Sequence, residues 1–183
     1  LTLTNTSRRA RTFSVYSYNE WVLGPPRMGH QRHVVTGRDA PTGALVARNP
    51  YNTGFAYNVA FSWASEPVRS MTGDRTEFIG RNRTLTRPAA LTARALSNRL
   101  GAGLDPCGAL QVSVTLAPGE TRTVVFLLGE GHSIGEARAL IGRCGDASSV
   151  ESARQDVDAL WERTLGAIQV RTPDDSFDLL MNG

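Results

Sequence analysis

Residues 55–64 carry the clearest pattern of apolar and polar positions along the chain. Large apolar side chains occupy five successive odd positions, and smaller or polar ones stand between them; the large ones are Phe55, Tyr57, Val59, Phe61 and Trp63. Because successive side chains of a β-strand point to opposite faces, a period of two places these five on the same face. The pattern predicts a strand with one buried face.

A second alternation predicts a β-hairpin later in the chain. Apolar residues occupy every second position of 110–116, and the turn-forming segment 117–120 leads into another strand-like run over 121–128. Two strands joined by so short a turn are antiparallel. Further strands are predicted over 11–23, 43–48, 68–72 and 76–79, and a loop is predicted over 97–108.

Beyond residue 128 the apolar period changes from two to 3.6, which predicts helices. Ser133 and Glu136 have the spacing of a capping box, and Ser148 and Glu151 repeat it. An apolar stripe then follows along a helix of about five turns. The stripe consists of Val150, Ala153, Val157, Leu160, Trp161 and Leu165.

Strands first and helices last favour a mainly β fold, an antiparallel β-sandwich followed by an α-helical linker. We assign residues 1–130 to the sandwich and 131–183 to the linker. Strand-like alternation already starts at Leu1, and near the other end Thr172, as a cap, and Pro173 open a further helix. We therefore expect a fragment of a longer protein, with exposed sheet edges that favour self-association.

Composition and charge argue against two classes of partner. The 183 residues include 40% hydrophobic and 20% charged ones, without an apolar run near the ~18 residues that a membrane span needs. All 20 basic residues are Arg, scattered among 17 acids for a net charge of +3. The densest basic segment, 74–87, includes two acids and no aromatic ladder for stacking bases. We predict neither nucleic-acid binding nor direct insertion into a membrane.

Two histidines and two cysteines raise the question of a metal site. His30 and His33 lie in one segment, but neither Cys107 nor Cys144 has a second Cys at the spacing of two to four residues that structural zinc sites usually show. Loop histidines and free thiols in a reducing compartment are favoured. We predict no bound metal.

A glycine-rich segment, 129–135, lies between a predicted strand and a predicted helix, as phosphate-binding loops do. Its glycine spacing is one residue longer than that of the dinucleotide fingerprint, and no second parallel strand follows. A plain strand-to-helix turn is favoured. We predict no cofactor.

Acidic and aromatic side chains supply the remaining candidates for chemistry. Glycoside cleavage needs two carboxylates about 5 to 10 Å apart, and sequence spacing pairs none of the acids in this way. Turn closure and pairing with neighbouring Arg are favoured for them instead, so no catalytic residue is predicted; these acids are Glu20, Asp74, Glu77 and Asp105. Tyr16, Tyr18 and Trp21 have faces suited to stacking on a sugar, although core packing is favoured.

Three segments carry a recognisable pattern: SYNEWVLG at 17–24, TGDRTEFIGRN at 72–82 and GAGLDPCGALQ at 101–111. With VRTPD at 170–174 and LLMN at 179–182, they resemble the cyclic β-1,2-glucan synthase branch of glycoside hydrolase family 94. Cellobiose and chitobiose phosphorylases are relatives in that family. The similarity runs over essentially the whole chain.

The resemblance implies an N-terminal antiparallel β-sandwich of the galactose mutarotase-like supersandwich type, a helical linker, an (α/α)6 barrel and a small C-terminal β domain. This chain matches the later part of the sandwich and the linker. The family's general-acid Asp and phosphate-binding residues lie in the barrel, beyond Gly183. No residue of this chain inherits a catalytic role from the resemblance.

The resemblance also implies where sugars and partners bind. Sandwich loops of the family help to build a dimer and approach the rim of the active site, and the matching loops here are 72–83 and 101–107. The candidate carbohydrate contacts are Tyr18, Trp21, Arg75, Arg81 and Asp105. We expect weak contact with β-1,2-glucan, association with the parent's catalytic barrel, and a homodimer.

These expectations combine into a non-catalytic, carbohydrate-associated part of a cyclic β-1,2-glucan synthase, which supports or positions a phosphorylase-like barrel. The resemblance places such a parent on the cytoplasmic side of the bacterial inner membrane. Two alternatives stay open: a module that holds glucan for neighbouring domains, and a structural dimerisation or spacer domain of a glycoside phosphorylase.

Overall fold

The computed structural model describes residues 1–24 and 27–182, which divide into two compact units, Leu1–Asp146 and Ala147–Gly183. Within the described residues every strand belongs to the first unit. The strands are β1 (Thr2–Thr4), β2 (Arg11–Glu20), β3 (Val35–Arg38), β4 (Leu45–Arg48), β5 (Val59–Ala64), β6 (Val68–Asp74), β7 (Pro106–Leu116), β8 (Thr121–Thr123) and β9 (Phe126–Gly131). The helices of this unit are α1 (Arg27–His30), α2 (Arg75–Ile79) and α3 (Ile134–Cys144), with 3₁₀ turns at Gln31–His33 and Ala89–Thr92.

Antiparallel pairing organises the strands into two larger sheets and one small one, which confirms the predicted antiparallel sandwich. The larger sheets have the orders β2-β7-β6 and β3-β4-β5-β9, and β1 pairs with β8. In the first sheet the register runs from Arg11 opposite Leu116 to Glu20 opposite Cys107. The ends of β2 and β6 and the start of β7 are therefore neighbours.

The main core lies between the two larger sheets. Leu45 and Ala47 of β4 pack in one buried cluster with Met71 of β6 and with Leu110 and Val112 of β7. Full burial of a Leu, Val or Met side chain stabilises the folded state by about 1.5 to 3 kcal/mol relative to leaving it exposed. This apolar interface is what holds the sheets face to face.

Both larger sheets are covered on their outer faces as well. Ala137 and Ile141 of α3 pack with Val59 and Phe61 of the four-stranded sheet. On the opposite side of the unit, α2 and the segment that follows it pack against β7. We predicted that the sandwich ends at residue 130, whereas the first compact unit continues to Asp146 and includes α3.

The predicted strand over 55–63 is correct only from Val59 onward. Phe55 and Tyr57 are 63% and 84% exposed, because consecutive turns precede β5. The Asn49 side chain initiates these turns by accepting a hydrogen bond from the Tyr51 amide at 3.2 Å. Such a local hydrogen bond competes with strand pairing. The intervening Ala60 is buried too, since β5 is covered on both faces.

The predicted hairpin between 110–116 and 121–128 is wrong in its pairing. β7 is the central strand of its sheet, so β2 and β6 occupy both of its edges. The turn at 117–120 exists, with the Glu120 amide donating to the Ala117 carbonyl at 3.1 Å. It directs the chain to β8, which pairs with β1, and then to β9, which pairs with β5.

Two further predictions change in the region after β6. Residues 76–79, predicted as a strand, belong to α2, because Asp74 caps this helix by accepting a hydrogen bond from the Thr76 amide at 2.9 Å. Residues 106–108, predicted as loop, open β7. The strands predicted over 11–23, 43–48 and 68–72 are confirmed, with different ends.

The predicted helix start at Ser133 is confirmed. The Ser133 hydroxyl accepts a hydrogen bond from the Glu136 amide at 3.1 Å. The Glu136 carboxylate in turn accepts from the His132 amide at 2.7 Å. The glycine-rich segment is therefore a capped strand-to-helix turn, in which the His132 amide is bonded within the chain.

The second unit contains α4 (Ala147–Leu165) and α5 (Asp175–Asn182). The long helix is confirmed, but it begins at Ala147, so Ser148 lies inside its first turn instead of capping it. Asp174, not Thr172, caps α5, because its carboxylate accepts hydrogen bonds from the Ser176 and Phe177 amides at 2.9 and 3.3 Å. In the described part of the chain no helix is both long and apolar enough to cross a membrane.

Candidate functional site

Three of the five predicted carbohydrate contacts meet at the ends of β2, β6 and β7. Arg75 is central: its Nε donates to Glu20 Oε1 at 2.9 Å and its Nη1 to Asp105 Oδ2 at 3.4 Å. The Tyr18 hydroxyl donates to the same Glu20 oxygen at 2.8 Å. We call these four residues, Tyr18, Glu20, Arg75 and Asp105, the Arg75 cluster.

The Arg75 cluster is held together by its own charges. Burial first, and then the hydrogen bond with Glu20, raise the pKa of the Tyr18 hydroxyl, so it remains a neutral donor at physiological pH. The hydrogen bond with Glu20 also raises the pKa of Arg75. Tyr18 stacks on Phe78 with ring centroids 4.6 Å apart. The polar atoms of this partly exposed cluster are thus hydrogen-bonded to one another. A sugar hydroxyl would have to compete with these existing bonds.

Trp21 and Arg81 do not join this cluster. Trp21 was a candidate for stacking on a sugar as an exposed aromatic, but it is only 4% exposed and packs in the core between the sheets. The favoured alternative, core packing, is therefore correct for this residue. Arg81 lies exposed in the turn after α2.

The loop 72–83 that the resemblance singled out is bonded to the second one, 101–107, through the Arg75 amide and the Asp105 carbonyl at 2.8 Å, and also to the segment 97–99 that precedes the second loop. Glu77 of α2 accepts from the Ser97 amide at 2.7 Å and from the Thr72 hydroxyl at 2.6 Å. Arg99 forms an ion pair with Asp74 at 3.1 Å. These contacts hold the segments 72–83 and 97–105 in a fixed geometry around the Arg75 cluster.

A cleft of about 490 Å³ opens beside the segment that follows β2. It was not predicted from the sequence, because its polar residues come from distant segments and Phe55 had been assigned to a buried strand face. We call it the Gly24 cleft. It is lined by Val22, Leu23, Gly24, Asn49, Asn52, Phe55, Asn58, Ala60 and Glu130.

Hydrogen bonds between segments fix the walls of the Gly24 cleft. The buried Asn49 donates from Nδ2 to the Leu23 carbonyl at 2.7 Å. Asn58 donates from Nδ2 to Glu130 Oε1, which joins the start of β5 to the end of β9. The polar groups on the two sides of the cleft are therefore positioned by the fold.

Backbone geometry at the cleft is specific to glycine. Gly24 has a φ of 151°, and a Cβ atom there would lie 2.9 Å from His30 Nδ1 and 3.4 Å from Asn52 Nδ2. A larger residue would displace these polar groups. The cleft thus has polar side chains packed tightly against one wall.

Other candidate chemistry is not assembled in the described residues. They contain no group of three or more His, Cys, Asp or Glu side chains placed to hold a metal ion. His33 instead stacks on Tyr51 with ring centroids 4.0 Å apart. Cys107 and Cys144 are free thiols, and burial and nearby carboxylates raise the pKa of Cys107.

The first unit is thus an antiparallel β-sandwich with helices on its outer faces and polar loops at the strand ends. Residues 1–147 match the glycosyl hydrolase 94 supersandwich domain, and the chain belongs to this family.

Among curated proteins, this chain is similar to the cyclic β-(1,2)-glucan synthase NdvB of Rhizobium meliloti (strain 1021). The two are 33% identical over 183 residues, which are 100% of this chain and 6% of the synthase. It is also 29% identical to the N,N'-diacetylchitobiose phosphorylase of Vibrio furnissii, over 97% of this chain and 22% of that enzyme. A 3-O-β-D-glucopyranosyl-β-D-glucuronide phosphorylase of Paenibacillus borealis is 26% identical over 100% of this chain and 24% of its own length. The chain therefore spans less than a quarter of each of these relatives.

Proposed function

We propose that this chain is a non-catalytic, carbohydrate-associated part of a cyclic β-1,2-glucan synthase, and that it supports or positions the parent's phosphorylase-like catalytic barrel. Membership of glycosyl hydrolase family 94 and the similarity to a synthase over all 183 residues support this assignment. On this proposal the parent acts on the cytoplasmic side of the bacterial inner membrane. Weak contact with β-1,2-glucan is part of the same proposal.

The observation that carries the supporting role is the apolar stripe of α4. Its large side chains are between 40% and 58% exposed, at positions that a 3.6-residue period brings to the same helix face. These side chains are Val150, Val157, Leu160, Trp161 and Leu165. An exposed apolar stripe of this length is typical of a surface on which another part of a protein packs. We propose that the catalytic part of the parent covers it.

The non-catalytic assignment rests on the state of the carboxylates. Glu20 and Asp105 are both bonded to Arg75, and Asp74 is bonded to Arg99 while it caps α2. These carboxylates are thus engaged as structural ion-pair partners and as a helix cap, whereas glycoside cleavage needs two carboxylates that face one sugar ring. Purified as 183 residues, the chain should release no glucose 1-phosphate from β-1,2-glucan and phosphate.

Charge introduced on the apolar stripe of the full-length parent tests the supporting role. Val157→Glu places a carboxylate on the stripe, whereas Ala159→Glu places the same charge on the opposite face of α4. Because burying an unpaired charge is costly, we expect Val157→Glu to lower phosphorolysis by the parent at least about tenfold. Ala159→Glu should stay within about twofold of the unchanged parent.

Equal activities of the two variants would contradict the supporting role. The same pair distinguishes the dimerisation alternative, in which α4 pairs with a second copy of the chain. In that case the isolated 183-residue chain would sediment as a dimer, Val157→Glu would make it a monomer, and the parent's phosphorolysis would be unaffected.

A further inference from the structure

We propose that the Gly24 cleft is a binding site for a short, neutral, β-linked glucose oligosaccharide. The class of saccharide follows from the proposed function. The location of the site follows from the cleft itself. The site is distinct from the Arg75 cluster, whose polar groups are already bonded to one another.

The cleft contains polar groups with unused hydrogen-bonding capacity. Within the described residues the Asn52 side chain makes no hydrogen bond, although it is partly exposed to the cleft. Glu130 uses Oε1 to accept from Asn58, and in the same part of the chain Oε2 accepts no hydrogen bond. An amide both donates and accepts, and a carboxylate oxygen accepts, which together match neighbouring hydroxyls of a sugar.

Apolar side chains line the same cleft. Phe55 is 63% exposed and Val22 is 45% exposed, and both line the cleft. An aromatic face packs favourably on the C–H face of a pyranose, while the edge hydroxyls remain free to bond. A cleft with an aromatic wall and a few polar groups is the common composition of a small-molecule site, and about 490 Å³ is within the usual size range.

The Leu23 part of the cleft wall is fixed by a hydrogen bond from another segment. Leu23 has a φ of 39°, a left-handed value that is uncommon for leucine, and the bond from Asn49 to its carbonyl fixes it there. Residues held in such conformations are concentrated at ligand sites. A site with fixed walls loses little conformational entropy when a ligand binds.

Charge restricts the ligand to a neutral sugar. Of the described residues that line the cleft, Glu130 carries a negative charge and none is an Arg. A sugar phosphate would place its negative charge near the Glu130 carboxylate, with no Arg among the described lining residues to offset it. The cleft therefore favours an uncharged glucan over glucose 1-phosphate.

Site-resolved titration of the 183-residue chain tests the proposal. We would add a linear β-1,2-gluco-oligosaccharide to the ¹⁵N-labelled chain and follow amide chemical shifts, with glucose 1-phosphate as the charged control. The shifts should change at 22–24, 52–58 and 130. Phe55→Ala and Asn52→Ala should each weaken binding about five- to tenfold, because each removes one contact from a small interface.

Tyr57→Ala is the matched control, since Tyr57 is an 84% exposed aromatic of the same segment that does not line the cleft. It should change the affinity less than about twofold. Unchanged spectra away from the substituted loop would show that each variant is folded.

Three results would contradict the proposal that the Gly24 cleft binds the oligosaccharide. These are chemical-shift changes confined to the Arg75 cluster, an equal loss of affinity in Phe55→Ala and Tyr57→Ala, and no chemical-shift change at any residue. None of them would affect the supporting role, which is tested separately by the Val157→Glu and Ala159→Glu pair in the parent.

Discussion

At the scale of single residues, Asp39 and Arg138 form an ion pair in which the carboxylate is almost fully buried. The Asp39 side chain is 4% exposed, and it accepts hydrogen bonds from Arg138 at 2.7 to 3.2 Å. The Thr42 hydroxyl adds a bond of 2.7 Å. Arg138 belongs to α3 and Asp39 follows β3, so the pair fastens this helix to the four-stranded sheet.

Removing the Asp39 charge should reveal a pH-dependent contribution to stability. The hydrogen bonds from Arg138, with those from Thr42, hold the pKa of Asp39 below its ordinary value. A lowered folded-state pKa stabilises the protein above the unfolded-state pKa of about 3.9, and the stabilisation is lost as the pH falls through the folded-state pKa. Asp39→Asn should therefore melt about 3 to 8 °C lower at pH 7, with the difference shrinking below about pH 4.

Thermal unfolding followed by circular dichroism between pH 3 and pH 7 measures this difference. Glu66→Gln is the matched control, because Glu66 lies in the turn between β5 and β6 and makes no ion pair within the described residues. A difference between the protein and Asp39→Asn that did not change with pH would show that the carboxylate charge is not its cause.

The sequence predicted individual site residues unevenly, for physical reasons. Short motifs indicated Arg75 and Asp105, which do meet in space, although their sugar-binding role stays a prediction. Burial of Trp21 was not decided by its neighbours in sequence, because an aromatic side chain suits a core and a sugar face equally. The Gly24 cleft depends on contacts such as that between Asn58 and Glu130, which are 72 positions apart, and no local pattern reports such a contact.

At the scale of elements, the close approach of β3 and β6 shows how the two sheets fit together. Gly73 of β6 faces Thr36 of β3, and a Cβ atom on Gly73 would lie 2.3 Å from Thr36 Oγ1. The same hydroxyl accepts a hydrogen bond from the Gly101 amide at 3.0 Å. Glycine at position 73 is therefore required by the neighbouring strand.

Gly73→Ala should destabilise the first unit by about 1 to 3 kcal/mol, because the added methyl group overpacks a closed interface. Thr36→Ala removes the nearest atom, so the two substitutions combined should cost at least about 0.5 kcal/mol less than the sum of their separate costs. Denaturant unfolding of the protein and the three variants gives this coupling energy. Strictly additive costs would mean that Thr36 is not what Gly73 avoids.

Strands and helices were predicted well where a local sequence pattern specifies them. They were predicted poorly where the pairing of distant strands determines the structure. Alternation found β7, and the capping spacing found α3, since each signal lies within a few residues. Pairing of β7 with both β2 and β6 excluded the expected hairpin, because a strand has only two edges. The helix α2 was missed because its signal is the Asp74 cap, and the segment 76–79 had been assigned to a strand.

At the scale of the whole molecule, the division at Asp146 separates two units with different sources of stability. The first unit contains three buried apolar clusters. In the second unit, α4 and α5 contain no buried residue. The first unit therefore has the buried apolar core that independent folding requires. The two helices of the second unit have no such core.

Residues 1–146 alone should unfold in one cooperative thermal transition. Residues 147–183 alone should show only partial helicity in water, since short helices without tertiary packing are marginal. Circular dichroism and thermal melting of the two pieces, compared with the 183-residue chain, measure both. A non-cooperative melt of 1–146 would mean that the first unit depends on the helices that follow it.

The pairing of the first strands with distant ones has a consequence for synthesis on the ribosome. Thr12 of β2 bonds through its side chain to Thr115 of β7, 103 positions later, and Thr2 of β1 bonds through its side chain to Thr123 of β8, 121 positions later. Contacts so far apart in sequence close only after most of the chain has been made. β1 and β2 therefore lack these partners while more than one hundred later residues emerge, and protection by chaperones is of most value in that interval.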